Sequence, residues 1–348
     1  MAKSKTYELA IKIAGKVDSS LKASCLQADK NLTALGKSAK AAGKVAAAGL
    51  TAAATAAAGL AATSLSTYAD FQQEMANTAA IAGATGEDYK AMEAAAREMG
   101  AKTTKTATEA AAALGYMALA GWNTQQSIAG LEPVLRLSEA TQMDLARCSD
   151  LVTDSMSALG LGVESMGDYL DLAIQTNNKA NTTAEMLMEA FIGCGGAAKT
   201  AGADLTDLST ALGILANNGT KGAEAGTAMN SMLVRMTSKD VALNAMKKLG
   251  VSTFDAAGNF RGLETVLTDL SAAMANLSTE ERAAYMSQIA GTNYYTEMSY
   301  LLDAVAKSAD GTANAWTNLE SQLQGSDGAL MKMAGQHTGT LKAPKKFL

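Results

Sequence analysis

Residues 182–219 read TTAEMLMEAFIGCGGAAKTAGADLTDLSTALGILANNG. Thr182 followed by Glu185 is a capping signature, in which a hydroxyl and an acid three residues later satisfy orphan amides at a helix start. The run TTAEMLMEAFI then reads as a helix, rich in residues that lose little rotamer freedom there. Gly193, Gly195 and Gly196 read as its stop and turn, and Asp204 opens the next helix. Gly202 and Gly219 fall where helices stop. The unit implied is a short amphipathic helix, a glycine break and another short helix.

Working outward, the same unit repeats from about residue 70 to 305. Thr106 with Glu109 and Ser278 with Glu281 repeat the capping signature. Pro133 is placed just inside a helix start, where its missing N–H costs nothing. Gly100, Gly121, Gly160 and Gly250 are further stops. One segment breaks the pattern: VSTFDAAGNFRGL at 251–263 predicts a small β-hairpin anchored by Phe254 and Phe260. Composition agrees with helix, since Ala, Leu, Met and Lys are abundant and the prolines are two, Pro133 and Pro344.

Upstream the pattern differs. Tyr7, Leu9, Ile11 and Ile13 alternate with Glu8, Ala10 and Lys12, which predicts a strand at about 7–13. From Leu21 the steps become 4 and 3 in turn, through Cys25, Ala28, Leu32, Leu35, Ala39, Ala42 and Ala46. That is a heptad seam, a candidate for self-association through Leu21, Cys25, Ala28, Leu32 and Leu35. Residues 45–69 carry no charge, and 45–65 would be long enough to span a bilayer. Eleven of those 21 residues are Ala, however. Burial scales with apolar area and Ala offers little, so a packed small-residue helix is favoured over a span. Leu50, Leu60 and Leu65 are the candidate membrane or partner contacts.

Net charge is −5, which disfavours broad binding to a nucleic-acid backbone. The basic arm at 1–44, with nine lysines against three acids, reads as a solvated face. Cys25, Cys148 and Cys194 are widely spaced, without a CxxC, and imply no disulfide framework. The start MAKSKTYELAIKIAGKVD is not a signal peptide, because Glu8, Lys12 and Lys16 interrupt any apolar run.

Chemistry finds little support. His337 is the single histidine and sits in a Gly/Thr-rich stretch. GCGGAAKT at 193–200 nearly matches a phosphate-binding loop, but Ala198 stands where a glycine is needed and a helix precedes it. Asp150 with Asp154 and Asp168 with Asp171 share helical faces, as solvated acids usually do. The methionines, such as Met186, Met188, Met229, Met232 and Met236, read mostly as core filling. No catalytic residue, cofactor or metal ligand is expected.

Six stretches, in order, carry a resemblance. They are FQQEMANTAAIAGAT at 71–85, ALGYMALAGWNTQQSIAGLEPVLRLSEAT at 113–141 and LARCSDLVTDSMSALGL at 145–161, then LGILANNGTKGAEAGTAMNSMLVRM at 212–236, MKKLGVSTFDAAGNFRGLETVLTDL at 246–270 and LSTEERAAYMSQIAGTNYY at 277–295. Together they resemble the core of phage tail tape-measure proteins of the TP901-type family. The resemblance implies a non-enzymatic helical protein in the tail-tube lumen of a virion, made in the host bacterial cytoplasm. It implies several self-associating copies, and the tail tube protein, tail assembly chaperones and distal tail or baseplate proteins as partners. It also implies contact with the host membrane during infection, and no specific nucleic-acid site. Length acts as a ruler in such proteins: 348 residues span at most roughly 520 Å if wholly helical. Gly226 and Arg235 fall in the best-matched piece, where packing and ion pairing are their ordinary roles. Family members are usually longer, with an extended helical region or a peptidoglycan-cleaving domain that is not expected here.

The expectation is therefore a mainly α chain. A long N-terminal helix precedes a multi-helix domain of short helices with one small β-hairpin. Its parts are 1–75 (strand, basic heptad helix and apolar segment), 76–305 (core) and 306–348 (low-complexity tail). The leading function is structural, in tail assembly and length determination. The alternative is a membrane-active protein using 45–69.

Overall fold

The structure, a computed structural model, describes residues 67–306 and 313–341. Backbone contacts divide the chain into two units, 1–69 and 70–348. The expected strand at 7–13, the seam at 21–46 and the apolar run through residue 66 lie outside the described residues.

The regular elements among the described residues are helices, so the chain is mainly α. They are α1 (67–82), α2 (Glu87–Lys102), α3 (Ala107–Leu119), α4 (Thr124–Thr141) and α5 (Leu145–Leu159). A single 3-10 turn, Val163–Ser165, leads into α6 (Met166–Lys179), followed by α7 (Ala184–Ala201), α8 (Leu205–Asn217), α9 (Gly222–Ser238) and α10 (Asp240–Lys248). Then come α11 (Leu263–Met274), α12 (Thr279–Ala290), α13 (Tyr295–Val305), α14 (Ala315–Leu323) and α15 (Ala329–Leu341).

Local chemistry starts many of them. Thr106 with Glu109 and Ser278 with Glu281 each form a complete capping box. Asp204 accepts from the amides of Thr206 and Asp207 and so opens α8. For α7 the cap is Thr183 and not Thr182: the Thr183 hydroxyl accepts from the Met186 amide. Glu185 is drawn instead to Arg147 on α5, 2.8 Å away.

Pro133 also departs from expectation. It lies inside α4, which starts earlier because Asn123 and Gln126 form their own capping box. The ring removes one amide from the ladder at a cost. Burial of Leu131, Val134, Leu135 and Leu137 on both sides of it offsets that cost and carries the helix through. Gly160 and Gly202 do end helices, at φ 72° and 73°, a left-handed region that favours glycine. Gly100 does not: it lies within α2, where a Cβ would stand 2.6 Å from the Ala107 backbone nitrogen.

The segment 251–263 carries a single antiparallel bridge, Phe254 with Phe260, and no strand. The Asp255 carboxylate accepts from the amides of Ala257 and Asn259 and closes a tight turn. Thr253 then donates to the Met236 carbonyl, which ties the loop to α9 before a strand can extend.

Helix α7 runs through the middle of the unit and packs on α5 and α9 most extensively. Around it α2 pairs with α3, α10 with α12, α11 with α13 and α8 with α14. One continuous apolar core links them, from Phe71 to Ala334. Met188, Met229, Met232 and Met236 lie in it, while Met186 is 39% exposed. Composition groups 306–348 as a tail, yet α14 and α15 are helices. Trp316 of α14 is fully buried, and α15 lies on α4 and α6.

Candidate functional site

The best-built feature of the described body is the crossing of α7 with its two neighbours, and glycine makes it. Gly193, Gly195 and Gly196 do not stop α7; all three lie inside it. A Cβ on Gly193 would stand 3.2 Å from the backbone of Gly226 on α9. A Cβ on Gly226 would stand 2.5 Å from the Ala190 carbonyl oxygen of α7. On the other side, a Cβ on Gly195 would meet the Ala158 backbone of α5 at 2.8 Å. Each close approach lets whole helix surfaces touch, and that area offsets the helix propensity lost at each glycine. The correction to the expected stop has this cause: a glycine needed for approach looks, in sequence, like a glycine that ends a helix.

Charge fastens the same crossing at its rim. Arg147 of α5 donates to Glu185 and to Glu189, both on α7. The hydrogen bond to Glu185 comes first in holding the Arg147 guanidinium charged. A second fastening is deeper. Glu139 of α4 is 3% exposed. Its carboxylate accepts from the Thr104 amide, from the Thr104 hydroxyl at 2.7 Å and from Arg136 at 2.9 Å. Burial pushes the Glu139 carboxyl up, but the two Thr104 donors and Arg136 together outweigh it and hold it below the usual range. Arg136 also donates to the Lys102 carbonyl, so the pair clips the α2–α3 connection to α4. Arg235 works alike, donating to the carbonyls of Gln288 and Ile289 at the end of α12. Both residues singled out in the best-matched piece thus have structural roles.

The residues weighed for chemistry do not converge. Asp150, Asp154 and Asp168 are exposed. Asp171 caps α15, accepting from the amides of Gly328 and Leu330 at 2.6 and 2.8 Å. GCGGAAKT is helical throughout, so its amides are spent on the helix ladder. His337 is exposed on α15. Cys148 and Cys194 are buried thiols, each pushed up to about 12 by burial. Among the described residues no group of His, Cys, Asp and Glu is arranged to hold a metal ion. No helix among them is long and apolar enough to cross a membrane.

The seam candidates Leu21, Cys25, Ala28, Leu32 and Leu35, and the contact candidates Leu50, Leu60 and Leu65, lie outside the described residues. What sequence reasoning missed is the glycine crossing and the Glu139 clip. The only local hint of the first was glycine recurring within an otherwise helical apolar pattern.

A family model described as phage-related minor tail protein matches residues 93–291, from α2 to the residue after α12. The chain is similar to the tape measure protein of Pneumococcus phage Dp-1, 32% identical over 285 residues, covering 82% of this chain and 24% of the relative. It is also similar to the probable tape measure protein of Escherichia phage P2, 25% identical over 287 residues, covering 78% and 35% of the two chains. The chain thus spans about a quarter to a third of the length of these relatives. No solved structure matches it.

Proposed function

The chain belongs to the phage-related minor tail protein family, and we propose that it works as a tape-measure component of a phage tail, in tail assembly and length determination. The observation that carries this reading is the 32% identity to a tape measure protein over 285 residues, a stretch long enough to take in most of the packed helical body. The proposed role is structural: helices joined by glycine crossings and buried clips supply the rigidity it needs. Self-association runs through the seam of Leu21, Cys25, Ala28, Leu32 and Leu35, small and apolar residues that recur in the sequence at heptad spacing. Several copies lie together in the lumen of the tail tube. There they meet the tube protein, and at the tip the distal tail or baseplate proteins. Leu50, Leu60 and Leu65 offer a contact for a partner or the host membrane at infection.

The test is made in the phage that carries the gene. A nonsense codon early in it is expected to abolish tails or leave them irregular in length, seen by electron microscopy, and suppression restores them. Normal tails from particles lacking the chain by mass spectrometry would overturn the proposal. The seam is tested by mass measurement of the purified chain. Leu32→Glu with Leu35→Glu should reduce an oligomer to monomer, and an unchanged oligomer would remove the seam from the reading.

A further inference from the structure

We infer that the cleft between the end of α3 and the 3-10 turn seats a lysine from residues 9–17 of a second copy of this chain. The inference rests on the several-copies reading above, through a contact separate from the seam at 21–46. The cleft has a volume of about 300 Å3, and Trp122, Met156, Leu161, Val163, Gln126 and Asp154 line it.

Local chemistry builds the apolar side. Gly121, at φ 88°, turns the chain out of α3, and the Trp122 indole then lies across bare backbone of α4. A Cβ on Gly130 would stand 2.6 Å from the indole Cζ3. The Met117 sulfur of α3 and the Met166 methyl of α6 close in on the same spot, at 3.2 and 3.1 Å. That packing leaves Trp122 partly exposed, while Met156 is buried beneath it at 1% exposure. Leu119 stands at the end of α3, 68% exposed, next to Ala120 of the lining.

The polar side is negative. Asp154 of α5 is exposed in the lining. The Glu164 carboxylate lies back against Gly162, also of the lining, in the place a Cβ would take. Neither carboxylate has a hydrogen bond or ion pair among the described residues, and no lysine or arginine lines the cleft. Lys199 lies across Gly160, outside the lining. Either acid alone would be an ordinary solvated group. Beside an indole and an apolar floor, the two suit a cation on an aliphatic stem: the stem lies along Leu161 and Val163, and the ammonium meets the ring and the acids.

The occupant follows from the division of charge along the chain. Residues 1–44 hold nine lysines against three acids, net +6, which leaves −11 of the chain's net −5 to residues 45–348. Like charge opposes contact between two acidic bodies, and the basic segment of one copy is the complement that the body of another lacks. Within that segment, LAIKIAGKV at 9–17 sets Lys12 between Ile11 and Ile13, and Lys16 before Val17. A lysine flanked by apolar residues supplies both halves of the match, an ammonium for Asp154 and Glu164 and apolar surface for Leu119 and Trp122.

The test is direct coupling of lysine to carboxylate in the full chain with a carbodiimide, read by mass spectrometry of the linked peptides. The unaltered chain is expected to link Lys12 or Lys16 to Asp154 or Glu164 several-fold more often than to Asp168, an exposed acid on α6. Lys12→Gln with Lys16→Gln should lose these links, and so should Asp154→Asn with Glu164→Gln. The two variants produced together should regain them, because one copy then supplies the lysines and the other the acids. Links no more frequent than at Asp168 overturn the proposal, as do links that the variants produced together fail to regain. An oligomer by mass measurement without these links removes this contact alone and leaves the several-copies reading standing; a monomer removes both.

Discussion

Gly193 on α7 and Gly226 on α9 lie face to face, so close that a Cβ on Gly193 would stand 3.2 Å from the Gly226 Cα. No side chain separates the two backbones there. The main helix pair of the body rests on the absence of two methyl groups, and this has consequences for substitution.

Gly226→Ala should destabilise by about 2 kcal/mol, because its Cβ meets backbone that has no rotamer to escape into. Gly196→Ala, on the same helix as Gly193, meets nothing within 4 Å and should stabilise by about 0.5–1 kcal/mol through helix propensity. Urea unfolding of the two variants side by side checks the contrast. Equal effects would mean that the crossing is not tight.

Glu139→Gln should cost about 2 kcal/mol, because it leaves Arg136 with only the more exposed Glu132, 3.4 Å away, as counter-charge. The pH dependence has a definite sign. A carboxyl lowered in the folded state contributes stability above its unfolded value and loses it as pH falls through the folded one. Wild-type stability from this group should therefore fall on acidification, and the variant should lack that component. Urea midpoints measured down through the carboxylate range would show it, and parallel curves for the two proteins would refute it.

Arg147→Ala should cost only about 0.5 kcal/mol, although it breaks contacts to both Glu185 and Glu189. The Arg147 side chain is 42% exposed, so water takes over most of the interaction. A loss as large as that at Glu139 would show the rim to be far drier than its exposure indicates.

With Cys25 replaced by Ser, the native chain should give almost no thiol reaction at about pH 8 with a disulfide reagent, since burial keeps both remaining thiols protonated. Two thiols should appear on unfolding. Rapid reaction of either thiol in the native state would mean that the body opens readily around α5 or α7.

Local signals carried the reading of the fold as far as they could reach. The capping boxes at Thr106 and Ser278 and the cap at Asp204 are legible because donor and acceptor sit three residues apart. The shift from Thr182 to Thr183 is not, because Arg147, far upstream in sequence, settles where Glu185 goes. Pro133 and the glycines of 193–196 mislead for the same reason. Whether such a residue breaks a helix or lets another one approach depends on a partner remote in sequence. The clip at Glu139 has no local signature either, since Thr104 lies on another helix connection. Of the candidate contact residues, those at 21–65 lie where the structure describes nothing, and the structure bears only on the body.

The position of α15 across α4 has a practical corollary for anyone making this protein in pieces. The stretch matched by the family model ends at 291, but part of the packing on α4 comes from α15, beyond residue 313. A fragment trimmed to residues 93–291 would be born with one side missing. Its tendency to clump would say nothing about how the intact chain behaves.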